Sequence, residues 1–139
     1  MNENAETLTT WDEQTKRISV VTIFTDDLDV SRRFYEEVFG LPIHFQDDDS
    51  VVFQLDSTLL NILRSEAAPE VIEPASVGSI THGSRFLFTM MVDDVDATCE
   101  ELARRGVELL NGPMDRPWGI RTASFQDPAG HIWEISHRL

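Results

Sequence analysis

The chain has 139 residues, 41% hydrophobic and 9% aromatic, which is enough apolar material for one domain with a buried core and too much for a disordered chain. Its formal net charge of −14 argues against nucleic acid and anionic membranes as partners, because phosphate binding needs clustered Lys and Arg. The single cysteine, Cys99, excludes an internal disulfide and, at an apolar helical position, reads as a small buried hydrophobe.

Met1 to Arg17 is polar and acidic, without the apolar run of a signal peptide, and no stretch of the chain approaches membrane-spanning length. A flexible tail over 1–17 and a cytoplasmic location are therefore expected. Ile18 to Thr25 reads as a strand, rich in β-branched residues. Asp27 or Asp29 caps the helix that follows, in which Val30, Phe34 and Val38 share one face before Gly40 stops it and Pro42 forbids continuation. Short strands are expected at Ile43 to Gln46, Val51 to Leu55 and Leu59 to Leu63, separated by turns at Asp47-Asp48-Asp49 and Asp56-Ser57. This first unit, residues 18–64, has the order βαβββ.

Residues 65–84 carry Pro69, Pro74, Gly78 and Gly83 with no sustained period and read as a linker. A second unit, residues 85–139, then repeats the order. A strand is expected at Arg85 to Val92, a helix at Val95 to Arg105 with Cys99, Leu102 and Ala103 inward, and a short strand near Val107 to Leu110. Two more strands follow near Ile120 to Gln126 and His131 to Ser136, joined by Asp127-Pro128-Ala129-Gly130, whose residue types fit a type I turn. The repetition is visible in the residues themselves: Thr25-Asp26-Asp27-Leu28-Asp29 returns 67 positions later as Val92-Asp93-Asp94-Val95-Asp96, and each following helix ends at glycine, Gly40 and Gly106. Two copies of so long a period do not make a solenoid, which needs three or more repeats to bury its faces. A pseudo-symmetric single domain is left.

Phe34-Tyr35, Phe39-Gly40-Leu41, Val92-Asp93-Asp94-Val95, Pro117-Trp118-Gly119-Ile120-Arg121 and the run from Phe125 to Glu134 resemble the vicinal oxygen chelate superfamily, the group of glyoxalase I, fosfomycin and bleomycin resistance proteins and extradiol dioxygenases. The resemblance covers Ile18 to His137. It implies an α+β fold in which two paired βαβββ modules form a curved half-barrel sheet with helices outside and a ligand cavity inside, commonly as a homodimer. It also implies metal ligands, in the metal-dependent members, at positions that carry Val20, Asn61, Leu87 and Glu134 here. Only Glu134 is a good ligand, and one carboxylate does not hold a catalytic divalent ion, which takes about three protein ligands. His44, His82, His131 and His137 fall on an edge strand, in the linker, beside a turn and at the terminus, and are expected at the surface.

Strand alternation sorts the rest. If Val20, Asn61, Leu87 and Glu134 face the cavity, then Val21, Ile23, Leu60, Ile62, Phe86, Phe88, Met90, Trp133 and Ile135 face the helices, and that second set is wholly apolar. The cavity set mixes apolar walls with a few polar groups, the pattern of a small-molecule site. Phe24, Asn61, Arg85, Thr89, Met91, Trp118, Arg121 and Glu134 are its candidate ligand-binding residues. Glu134 either touches ligand or pairs with Arg85; Arg121 meets an anionic group or Glu134; Trp118 stacks on a planar ligand or packs. No activated nucleophile, phosphate loop or dinucleotide fingerprint is present in the sequence. The expectation is a metal-independent small-molecule-binding protein, dimeric, needing no cofactor, with drug or metabolite sequestration as its role. The alternatives are a metal-dependent lyase, isomerase, transferase or dioxygenase, or an enzyme using Glu134 as a general acid or base.

Overall fold

The computed structural model describes residues 16–139, so the tail expected over 1–17 lies outside the described residues except for its last two. Strand β1 (Val20–Thr25) leads into helix α1 (Leu28–Glu37), then β2 (Ile43–Gln46), β3 (Ser50–Leu55) and β4 (Thr58–Arg64). A one-turn helix α2 (Pro69–Ile72) and a 3₁₀ turn (Ile80–His82) occupy the linker. The second module is β5 (Phe88–Met91), α3 (Val95–Arg104), β6 (Asn111–Arg116), β7 (Ile120–Gln126) and β8 (Ile132–Arg138). The fold is α+β, and each module makes its own four-stranded sheet, ordered β1-β4-β3-β2 and β5-β8-β7-β6, with the first pair parallel and the others antiparallel.

The internal repeat is kept in the helix starts. The Asp27 side chain accepts from the Val30 amide and the Asp94 side chain from the Ala97 amide, both at 3.1 Å, so one carboxylate fills the same orphan amide in each copy and sits at the positive end of its helix. The helix-facing alternation also holds: Ile23, Leu60, Ile62, Trp133 and Ile135 are buried, Val21, Phe88 and Met90 pack against them, and the buried residues of both modules form one continuous core. Cys99 is buried in it as a free thiol.

Several local expectations are corrected. Of the face expected on α1, Val38 is buried and Phe34 packs on the core, but Val30 is exposed; Ser31 and Tyr35 are also buried, the Tyr35 hydroxyl finding its partner in the second module. On α3 Ala103 is exposed; Val95, Cys99 and Leu102 point inward. Strand β5 begins at Phe88 rather than Arg85: among the described residues it is an edge strand paired only with β8, which starts at Ile132. Phe86 therefore lies outside the sheet, exposed, with its ring against Phe88 and His131. The strand expected at Val107 to Leu110 forms instead at Asn111–Arg116, where Pro113 is tolerated because β6 is also an edge strand and the register there is irregular. Val107 and Leu109 still pack on the core, without belonging to a strand.

Candidate functional site

The two sheets carry the same polar pair at the same place. Parallel register sets Thr22 beside Asn61 in the first module and Thr89 beside Glu134 in the second. Asn61 Nδ2 donates to Thr22 Oγ1 at 3.3 Å, and Thr89 Oγ1 donates to Glu134 Oε1 at 2.9 Å. Alternation explains the placement: Ile23, Leu60, Ile62, Trp133 and Ile135 point to the core, so their neighbours Thr22, Asn61 and Glu134 stand on the opposite face. The Asn61 carbonyl oxygen is buried and has no hydrogen-bond partner among the described residues. A buried acceptor left without a donor costs about 1–3 kcal/mol. Apolar residues flank the pairs, with Val20 and Leu87 exposed at 47% and 50% and Met91 also exposed.

The other candidates separate from this face. Glu134 pairs with Thr89 and not with Arg85, which lies in the chain leading to β5 and lines, with Phe24, a different cavity described below. Arg121 is taken: its Nε and one terminal nitrogen bind Asp96 at 3.1 and 3.0 Å and the other binds Asp115 at 2.8 Å. These bonds, led by the one to Asp96, raise the guanidinium pKa further, and those from Arg121 hold the Asp96 carboxyl below the usual range. Arg121 shares the parity of Ala123 and Phe125 on β7, both buried, so it lies on the helix side and away from Glu134. Trp118 stands in the β6–β7 hairpin, 69% exposed, with no ring contact among the described residues.

Two of the four histidines are not surface residues. His137 is half-buried, and its Nδ1 accepts the Val95 amide at 2.8 Å, capping α3. His131 is half-buried, with Nδ1 2.8 Å from Asp127 Oδ2. His44 and His82 are exposed as expected. The sequence reading also passed over Arg116, whose Nε donates to the buried Thr122 hydroxyl at 2.9 Å. No motif in residues 111–116 marks it.

The residues at the implied metal positions do not fit a catalytic divalent ion. Val20 and Leu87 have no lone pair, Asn61 offers a neutral carbonyl, and Glu134 is the single anionic donor. Among the described residues no three His, Cys, Asp or Glu side chains come together. What the core-averted faces offer is hydrogen bonding from Thr22 and Asn61 on one sheet and from Thr89 and Glu134 on the other, beside apolar residues, chemistry that suits a small organic molecule better than a metal ion.

Comparison with known proteins agrees with this architecture. Residues 17–135 match the family model described as Glyoxalase/Bleomycin resistance protein/Dioxygenase superfamily. An uncharacterized protein of Bacillus subtilis strain 168, YraH, is 32% identical over 124 residues, covering 86% of this chain and 96% of its own. Among solved structures, lactoylglutathione lyase from Agrobacterium tumefaciens superposes with a TM-score of 0.71 at 21% identity, covering 87% of this chain and 92% of its own. TnmS3, an antibiotic binding protein from Streptomyces sp. CB03234, does so with a TM-score of 0.69 at 22% identity, covering 92% and 100%. At such identities the two structures share the fold with this chain, and one is named as an enzyme, the other as a binder. No helix among the described residues is long and apolar enough to cross a membrane.

Proposed function

Since the chain belongs to the glyoxalase/bleomycin resistance protein/dioxygenase superfamily, we propose that it binds a small organic molecule without using a metal ion, as a cytoplasmic homodimer. The carrying observation is the repeated polar pair, Thr22 with Asn61 and Thr89 with Glu134, set beside Val20 and Leu87 where a metal site needs lone pairs. Exposed Val20, Leu87 and Met91 supply the apolar surface that a ligand and a second copy of the chain would cover. The carboxylate of Glu134, the net charge of −14 and the engagement of Arg121 by two aspartates together favour a flat neutral or cationic molecule over small anions. Sequestration of a drug or metabolite is the role that such a site serves.

The test is calorimetric titration with proflavine (a planar cation), indole (a neutral aromatic) and malonate (a small dianion), in wild type, Glu134→Gln and Trp118→Phe. Proflavine or indole should bind, and Glu134→Gln should weaken proflavine by about tenfold. Trp118→Phe distinguishes stacking by this ring from a packing role. Binding of malonate alone would overturn the proposal. So would a stoichiometric divalent ion in protein purified without chelators that is lost in Glu134→Gln, since the metal-dependent alternative requires one.

A further inference from the structure

A cavity of about 510 Å³ lies away from the Thr–Asn and Thr–Glu pairs, between the end of β1, the linker and the β7–β8 turn. Phe24, Val30, Ile80 and Phe86 supply apolar walls; His82, Arg85 and His131 supply polar ones. None of Thr22, Asn61, Thr89 or Glu134 lines it. The linker is seated closely on the turn: a Cβ added at Gly130 would meet Ile80 Cγ1 at 2.6 Å.

His131 is held rigidly at this cavity. Its Nδ1 bonds Asp127 Oδ2 at 2.8 Å, and its ring stacks on Phe86 at 5.7 Å with the planes 18° apart. Asp127 is 3% exposed and already accepts from the Tyr35 hydroxyl and from the Ala129 and His131 amides. Burial, together with the charge of Asp127, pushes the Tyr35 pKa up, so the phenol stays protonated and remains a donor. An acceptor-only carboxylate in that position requires the proton of His131 on Nδ1, so that in the neutral ring Nε2 keeps its lone pair. Among the described residues Nε2 has no partner. His82 is oriented the opposite way: its Nδ1 accepts the Ser79 amide at 3.0 Å, which leaves Nε2–H as a donor. Arg85 is exposed and makes no ion pair among the described residues.

We propose that this cavity is a second small-molecule site, for a ring-bearing monocarboxylate that carries a hydroxyl or N–H. Arg85 and His82 receive the carboxylate, Phe86 and Phe24 flank the ring, and the O–H or N–H donates to His131 Nε2. Asp26 and Asp27 on the β1–α1 wall disfavour a second negative charge, which limits the ligand to one carboxylate.

The probe is 4-hydroxybenzoate, with 4-hydroxybenzyl alcohol lacking the carboxylate and benzoate lacking the hydroxyl. The readouts are the His131 imidazole ¹H–¹³C resonance and calorimetric affinity in wild type, Arg85→Ala and His131→Phe. A saturable shift of the His131 resonance is expected with 4-hydroxybenzoate, with affinity reduced about tenfold or more in Arg85→Ala and for the alcohol. Benzoate on wild type and 4-hydroxybenzoate on His131→Phe should both fall below the reference affinity, because both lose the same hydrogen bond. Should His131→Phe not fold, the exposed Arg85→Ala together with the two control ligands carries the test. The proposal is overturned if no saturable shift occurs at millimolar probe, if Arg85→Ala binds as wild type does, or if the shifts map to Thr22, Asn61 and Glu134 instead.

Discussion

The Tyr35 hydroxyl on α1 donates to Asp127 Oδ2 at 2.6 Å across 92 residues of sequence, joining the first module to the hairpin turn of the second. Trp133 Nε1 donates to the same phenol oxygen at 3.0 Å, and the Tyr35 ring lies against Phe39, Phe53 and Trp133. A single side chain thus closes a buried polar network and sits at the centre of the aromatic core.

Tyr35→Phe should keep the packing and remove the hydroxyl, leaving the Trp133 indole N–H and one Asp127 hydrogen bond without their partner. Unsatisfied buried groups cost about 1–3 kcal/mol, so urea unfolding should show that loss with an unchanged slope. Asp127→Ala should cost more, because it also strands the Ala129 and His131 amides. A Tyr35→Phe protein as stable as wild type would show that water replaces the phenol.

Gly112→Ala should be among the most damaging of the glycine substitutions. A Cβ there would lie 2.5 Å from the Thr122 carbonyl oxygen and 2.8 Å from Ala123 Cα, backbone atoms that cannot step aside, at a φ of 84°. Gly40→Ala, at a φ of 69° with nothing within 4 Å of the added carbon, carries the backbone strain alone. The expected losses are about 3 kcal/mol or more for the first and about 1 for the second, read from paired denaturation curves.

Leu87→Asp separates the wall of a closed cavity from an interface between copies. Leu87 is half-exposed in the single chain, so the substitution should change monomer stability by no more than about 0.5 kcal/mol. If this face meets a second copy, it should instead shift sedimentation from dimer to monomer at micromolar concentration. Destabilisation of the monomer itself would contradict the observed exposure.

Asp96→Asn tests the Arg121 anchor through pH. The Asp96 carboxyl is held below its ordinary pKa, chiefly by its hydrogen bonds from Arg121. A carboxyl with a depressed folded pKa stabilises the fold above its unfolded pKa, and that stability is lost as pH falls through the folded value. The variant should therefore be less stable at neutral pH, and its curve should begin to approach wild type only below about pH 4, meeting it once pH has passed below the depressed folded value. Urea denaturation across a pH series reads this, and parallel curves would show that the pair contributes nothing.

The amino-acid sequence by itself determined what depends on near neighbours. A cap from Asp27 or Asp29 at the start of α1, the turn at Asp127 to Gly130 and the alternation of Ile23, Leu60, Ile62, Trp133 and Ile135 follow from backbone chemistry and period, whereas the pairing of Thr22 with Asn61 and of Thr89 with Glu134 came from the strand register. Tertiary structure decided where a side chain had several partners within reach. Arg121 turned to Asp96 and Asp115, because two carboxylates on the helix side outcompete one across the sheet. Beside Phe34 and Val38, α1 buries Tyr35 and leaves Val30 exposed, because a phenol can bring apolar area and also satisfy Asp127 and Trp133. His131 lines a cavity because the linker lies over the turn and Phe86, just beyond the linker, stacks on its ring. Such choices compare interaction energies between residues far apart in the chain, and no local pattern carries that comparison.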